Sequence, residues 1–330
     1  MKKLLALLLA AIMVFALVSC NNNNDGTENE DVTVRVMALK GPTGMGMAYL
    51  MECNENGTSA NKYDFKLAAA PAEVTAAIIA ETVDIAAVPV NLAAVLFNKP
   101  DVDISFAAVN TLGVLYLMEN GNTINSLNDI KGKKIYATGQ GATPQYVLEA
   151  LLKANNIDPE TDVEIEYIAE HAELATKLAT NDAAIGLLPE PQVTVALTTA
   201  KKNGNNDLRI AIDITEEWEK LGEGQLVQGC IIVSNKFKEE HPEQLAKFME
   251  EYKASTVYVV NNTADASVLI AEHGIIAQAA LAEKAIPNSN ICCIDGETGI
   301  SYMKKILEVL YAANPSSVGG KLPTDEFYGK

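Results

Sequence analysis

The feature that most constrains this chain is a series of strands, turns and prolines that recurs one hundred residues apart. Tyr63-Asp64-Phe65-Lys66-Leu67 alternates apolar and polar residues as a half-buried strand does, and Val163-Glu164-Ile165-Glu166-Tyr167 repeats the alternation. Ala72-Glu73 stands opposite Ala172-Glu173, each pair before a helical stretch. Ile85-Ala86-Ala87-Val88-Pro89 is matched by Ile185-Gly186-Leu187-Leu188-Pro189, and Gly41 and Thr43 fall opposite Gly141 and Thr143. Two like-built α/β lobes follow. Strands alternating with helices predict a mainly parallel, doubly wound sheet in each, with helices on both faces.

The rest of the chain distributes around that pair. Val32 to Leu39 reads as a strand, and the Gly-rich loop Lys40 to Gly46 leads into a helix through Leu50. Beyond the second series come a strand from Leu208 to Ile214, a helix around Trp218 and a strand from Gln225 to Ser234. Helical stretches then span 236–260, 264–272 and 296–312. These cannot build a third sheet and are best used to complete the first lobe. The expected organisation is lobe one from 31–118 and 228–330, with lobe two from 119–227.

The N-terminus carries an export pattern. Lys2 and Lys3 precede an apolar run from Leu4 to Val18, closed by Leu17-Val18-Ser19-Cys20. The run is short for a bilayer span, which needs roughly 20 apolar residues, and fits the core of a secretory signal. The Leu-x-Ser-Cys ending resembles the bacterial lipoprotein box, which implies removal of residues 1–20 and lipidation of Cys20. An ordinary signal peptide or an uncleaved anchor is the alternative. Residues 21–30 are polar and acidic and read as a flexible tether. Removing Lys2 and Lys3 takes the formal charge from −18 to −20, a poor match to nucleic acid, whose phosphates demand Lys and Arg. Four cysteines remain, Cys53, Cys230, Cys292 and Cys293. Their spacing gives no disulfide framework, so buried free thiols are expected, with a disulfide as the alternative. His171, His241 and His273 show no metal-ligand spacing.

Three segments carry a family resemblance. Ser126-Leu127-Asn128-Asp129-Ile130-Lys131-Gly132-Lys133-Lys134-Ile135, Lys238-Glu239-Glu240-His241-Pro242-Glu243 and Asn314 to Pro323 resemble segments of the solute-binding proteins of bacterial ABC importers. Within these the chain is similar to the group for nitrate, sulfonates, taurine and thiamine-pyrimidine precursors. The resemblance implies a type II periplasmic-binding-protein-like fold, two lobes joined by a two-strand hinge, with a small-molecule solute clamped between them. It further implies a monomer without cofactor or catalysis, lipid-anchored at the outer face of the cytoplasmic membrane. Its partners would be importer permease subunits with a cytoplasmic ATPase. Two other functions stay open: a lipid-anchored sensory module, and a pyrimidine-precursor synthase on the same fold. For the latter the chain shows no Gly-x-Ser-x-Gly elbow, zinc motif or nucleophile–base pair, and the vicinal thiols Cys292-Cys293 are the single feature in its favour.

Ligands of open α/β sheets bind beyond the carboxyl ends of strands. That nominates Thr43, Gly44, Met45, Pro71, Asn91, Asn110 and Thr111 in lobe one. In lobe two it nominates Thr138, Gly141, Thr143, Tyr146, Glu190 and Gln192. Gly139 to Pro144 places small residues before a helix, with Thr143 as its cap and Pro144 at the first helical position. Helix N-termini there and after Gly41 favour anions or acceptor-rich groups, although tight turns and caps explain the same residues. The chain has two arginines, Arg35 and Arg209, and neither lies in a nominated loop. A ligand held by bidentate Arg is therefore disfavoured. Glu190 points instead to an amine or ring N–H, or else to a solvated acid at its own helix. Trp218, Met45 and Met47 line the cleft in one reading and pack the core in the other. His171 reads as a ligand contact or a surface histidine.

Overall fold

The computed structural model describes residues 32–222 and 224–329. Cys20 and the expected signal and tether lie outside the described residues. The first sheet holds β1 (Thr33–Leu39), β2 (Lys62–Ala68), β3 (Ile85–Pro89), β4 (Ile104–Leu112), β10 (Val227–Ser234) and β11 (Ile291–Ile294), in the order β11-β4-β10-β3-β1-β2. The second holds β5 (Leu115–Asn120), β6 (Lys134–Ala137), β7 (Glu164–Tyr167), β8 (Ile185–Pro189) and β9 (Leu208–Asp213), in the order β7-β6-β8-β5-β9.

Helices connect the strands. In the first half these are α1 (Pro42–Met45), α2 (Ala48–Glu55), α3 (Pro71–Ile79) and α4 (Val90–Phe97). The second sheet is wound by α5 (Thr143–Ala154), α6 (His171–Ala179), α7 (Gln192–Lys202) and α8 (Ile214–Leu221). After β10 come α9 (Asn235–Glu240), α10 (Pro242–Asn261), α11 (Thr263–Glu272), α12 (Ala279–Ala285) and, beyond β11, α13 (Gly296–Ala313). The hundred-residue register is structural: α3 and α6, and β3 and β8, occupy the same positions of the two halves. The orders β2-β1-β3 and β7-β6-β8 are both parallel. β11 and α12 fall in a stretch where the sequence pattern shows no alternation.

Strand direction explains the departures from a purely parallel sheet. β10 runs antiparallel to β3 and β4, and β5 antiparallel to β8 and β9. Each is the strand that enters its sheet from the other one. A chain arriving at the end where the parallel strands finish must run back against them. The first crossing is only Gly113-Val114 between β4 and β5, and the second runs from α8 into β10. A side chain on Gly113 would meet Thr215 Oγ1 at 2.1 Å, so the first crossing is packed against the second. Among the described residues no helix is long and apolar enough to cross a membrane, and the four cysteines are free, Cys230 buried and the others half-buried.

Both arginines serve the scaffold. The β1 row Val34, Val36 and Ala38 faces the core, which turns Arg35 outward, where its guanidinium forks onto buried Asp84. Arg209 of β9 reaches Glu119 of β5 at 2.8 Å, and Glu119 also accepts from Thr123 N, Thr123 Oγ1 and Ile124 N. Burial pushes the Glu119 carboxyl up, but these bonds and Arg209 outweigh it and hold it below the usual carboxylate range. A depressed value means the stabilisation is complete above the unfolded Glu value, ~4.3, and is lost as pH falls through the lower folded one. Glu119→Ala should lower the unfolding free energy by about 1.5–3 kcal/mol at pH 7, trimmed by the partial exposure of Arg209. Urea midpoints should show that gap shrinking towards pH ~3; a gap constant with pH would contradict the pairing.

Candidate ligand-binding cleft

β1, β3, β6 and β8 all finish at the end of their sheet where the chain crosses, so the loops beyond them face one another. Contacts join the two sides. The Asn91 amide at the start of α4 donates to Gly141 O at 3.5 Å, and Thr143 Oγ1 donates to Asn91 Oδ1 at 3.0 Å. Tyr116 OH in β5 donates to Asn288 O at 3.4 Å, from the turn Ile286–Asn288 that precedes β11. Pro191 packs close to Gly41.

On the first side, Thr43 Oγ1 donates to Leu39 O, and the Asn110 amide donates to Thr43 O at 3.2 Å. Thr111 Oγ1 donates to Asn110 Oδ1 at 3.1 Å. Gly229 of β10 leaves room for this group, since a Cβ there would lie 2.5 Å from Asn110 Oδ1. On the second side, the buried Thr138 hydroxyl lies 2.6 Å from His171 Nδ1, and burial pulls the imidazole's pKa down. Glu190, 1% exposed, follows β8 and accepts from Thr194 N at 3.1 Å and Thr194 Oγ1 at 3.0 Å. Burial raises its pKa above the usual carboxylate range, against hydrogen bonds from Thr194 and the Asn288 amide. It also helps to raise the pKa of Tyr116, after burial and Asp213.

Several nominated residues sit differently from expectation. Thr143 is the first residue of α5 and not its cap. Ala142 holds the cap position, Gln145 Oε1 accepts from Gly141 N at 2.8 Å, and the Thr143 hydroxyl is thereby free to cross to Asn91. The helix expected through Leu50 is α2, which runs on to Glu55, and a short extra helix forms inside the loop expected from Lys40 to Gly46. Gly44 presses onto Leu39 O and Gly46 onto Tyr252 and Thr256, so the chain makes the four-residue α1 before α2 begins. Met45 and Tyr146 are buried, Gly44 packs beneath the loop, and Pro71 is exposed at the start of α3. Trp218 is wholly buried in the core spanning both sheets, which is the packing alternative. Glu190 is buried, not solvated, and His171 is half-buried.

Sequence reasoning missed Tyr116, Thr194 and Asn288. Asn288 lies outside the hundred-residue register and carried no signal. Two cavities, about 230 Å³ beside Asp84, Asp103 and Lys236 and about 510 Å³ beside Glu149, Lys153 and Asp158, lie away from the facing loops.

A two-sheet α/β clamp with paired loops across its crossings defines a solute-binding protein fold. Residues 54–277 match the family described as ABC transporter, phosphonate, periplasmic substrate-binding protein, and the chain belongs to that family. Its solved relatives include an ABC transporter protein from Parabacteroides distasonis, 24% identical over 89% of this chain and 98% of that one, TM-score 0.73. The periplasmic aliphatic sulphonate binding protein SsuA from Escherichia coli is 14% identical over 88% and 92%, TM-score 0.70. The periplasmic nitrate-binding protein NrtA from Synechocystis PCC 6803 is 9% identical over 90% and 87%, TM-score 0.60. No curated protein matches the chain. The resemblance carried by the sequence motifs therefore holds, and the family is extracytoplasmic.

Asn91 makes both bonds between α4 and the α5 loop. Asn91→Ala should shift the ligand-free protein towards a more open form by about 1 kcal/mol, roughly fivefold. Small-angle scattering should show a larger radius of gyration at unchanged melting temperature; an identical radius would mean that these bonds do not hold the loops together.

Proposed function

We propose that this protein captures a small solute between its two sheets outside the cytoplasm, lipid-anchored through Cys20, and delivers it to an ABC importer. What supports the reading is that loops of the two sheets meet, Asn91 with Gly141 and Thr143, and Asn288 with Tyr116 and Glu190; Thr43, Asn110, Thr111, Thr138 and Gln192 are the further candidates on those loops. The lobes would divide where the chain crosses, at Gly113-Val114 and before Val227, close to the limits expected from sequence. Each lobe would move as a body about these crossings. A ligand touching both sides would bias the equilibrium towards closure, because only the closed form makes both sets of contacts. The clamp would act as a monomer beside permease subunits, with residues 21–30 as its tether.

The test is a thermal-shift screen of the purified protein against anions, sulfonates, pyrimidines, vitamins and purines. A bound solute should raise the melting temperature with its concentration, by about 2.7 kcal/mol of stabilisation at one hundred times Kd. The double variant Thr143→Val with Glu190→Gln should weaken that solute without unfolding the protein. Unchanged affinity would move the site elsewhere, and silence across every class would remove the solute-binding reading. Separately, Cys20→Ser should shift the protein from the membrane to the soluble fraction while leaving solute affinity intact. Retained membrane attachment would remove the anchor and spare the clamp.

A further inference from the structure

A buried carboxylate is stable only when cations or hydrogen-bond donors replace the water it has lost. Among the described residues three carboxylate side chains are buried: Asp84 at 7%, Glu119 at 3% and Glu190 at 1% exposure. Arg35 meets the first and Arg209 the second, which uses both arginines of the chain. Glu190, the most buried of the three, has no cation among the described ion pairs. Its donors are Thr194 N, Thr194 Oγ1 and the Asn288 amide, and a carboxylate has about four acceptor positions.

The surroundings of Glu190 have the same bias. No lysine or arginine is buried among the described residues, and Lys40, beside Gly41, is exposed. Thr43, Asn91, Asn110, Thr111, Thr138 and Thr143 are neutral. Gln192 Oε1, two residues beyond Glu190 at the start of α7, is buried without a donor. An anion set ~4 Å from Glu190 in its ionised form, at an effective dielectric of ~20, would lose roughly a thousandfold in affinity to repulsion, and less where burial keeps the carboxyl protonated. A ligand offering N–H groups meets the opposite situation, since it supplies what Glu190 and Gln192 lack.

We propose that Glu190 reads the ligand as an acceptor, and that the ligand is an uncharged or cationic nitrogen base donating N–H bonds, not a phosphonate, sulfonate or nitrate. This rests on the solute-binding reading and narrows its ligand class. It runs against the oxyanion chemistry in the family's description and in the names of two structural relatives. Glu190 also bonds the first turn of its own helix through Thr194, and those two bonds hold the carboxylate in place for the ligand.

Calorimetric titration and thermal shift with two probe sets test it. The oxyanions are methylphosphonate, sulfate, taurine and nitrate; the nitrogen bases are cytosine, adenine, methylguanidinium and ethylammonium. At least one nitrogen base should bind the wild type, and Glu190→Gln should weaken it roughly 10- to 100-fold. The variant's circular dichroism and melting temperature report separately that it folds. Tight binding of an oxyanion to the wild type, left unchanged by Glu190→Gln, overturns the proposal while leaving the solute-binding reading intact. Silence towards every nitrogen base also overturns it. The wild-type comparison decides the ligand class even if the variant does not fold.

Discussion

The chain passes from the first sheet to the second through two residues, Gly113 and Val114, and that short crossing sets the rest of the architecture. A strand entering at the end where its neighbours finish has to run against them. β5 therefore lies antiparallel between β8 and β9, and β10 between β3 and β4 on the return. The same constraint turns the carboxyl ends of the parallel strands in both sheets towards each other. Loops that would be separate surfaces on two independent domains become opposite walls of one cleft. Packing at Gly113 against Thr215, and the bond from the Asn290 amide to Gly113 O, tie the crossings to each other and to the segment before β11.

Charge follows the same division of labour. The two arginines neutralise Asp84 and Glu119 at positions away from the facing loops, while buried Glu190 has no cation among the described ion pairs. Glu190 is held by Thr194 and the Asn288 amide without a cation, and burial raises its pKa. The acidic net charge of the chain is carried at the surface, where it supports solubility.

Most of the architecture was legible because period-two and helical patterns repeat at a fixed offset. Strands 85–89 and 185–189 and helices 71–79 and 171–179 fall where the register puts them. The late elements β11 and α12 were not legible, since Ile291-Cys292-Cys293-Ile294 shows no alternation and α12 is short. For the cleft, the paired loops followed from strand ends alone, and the structure brings Asn91, Gly141 and Thr143 into contact. Side-chain roles were less accessible. A threonine before a helix reads as a cap, and only the fold shows that Ala142 takes that place while the Thr143 hydroxyl crosses to Asn91. Asn288 reaches Glu190 and Tyr116 from more than ninety residues away, a proximity that no local pattern encodes.

The central claim is that loops from both sheets close on one solute. Hydrogen–deuterium exchange, with the strongest solute from the thermal-shift screen added in excess, tests it most directly. Exchange should slow in Gly41 to Thr43, Asn91, Gly141 to Thr143 and Glu190 to Thr194 together, on both sides of the crossings. Protection confined to one sheet, or to the cavity beside Asp84 and Asp103, would contradict it.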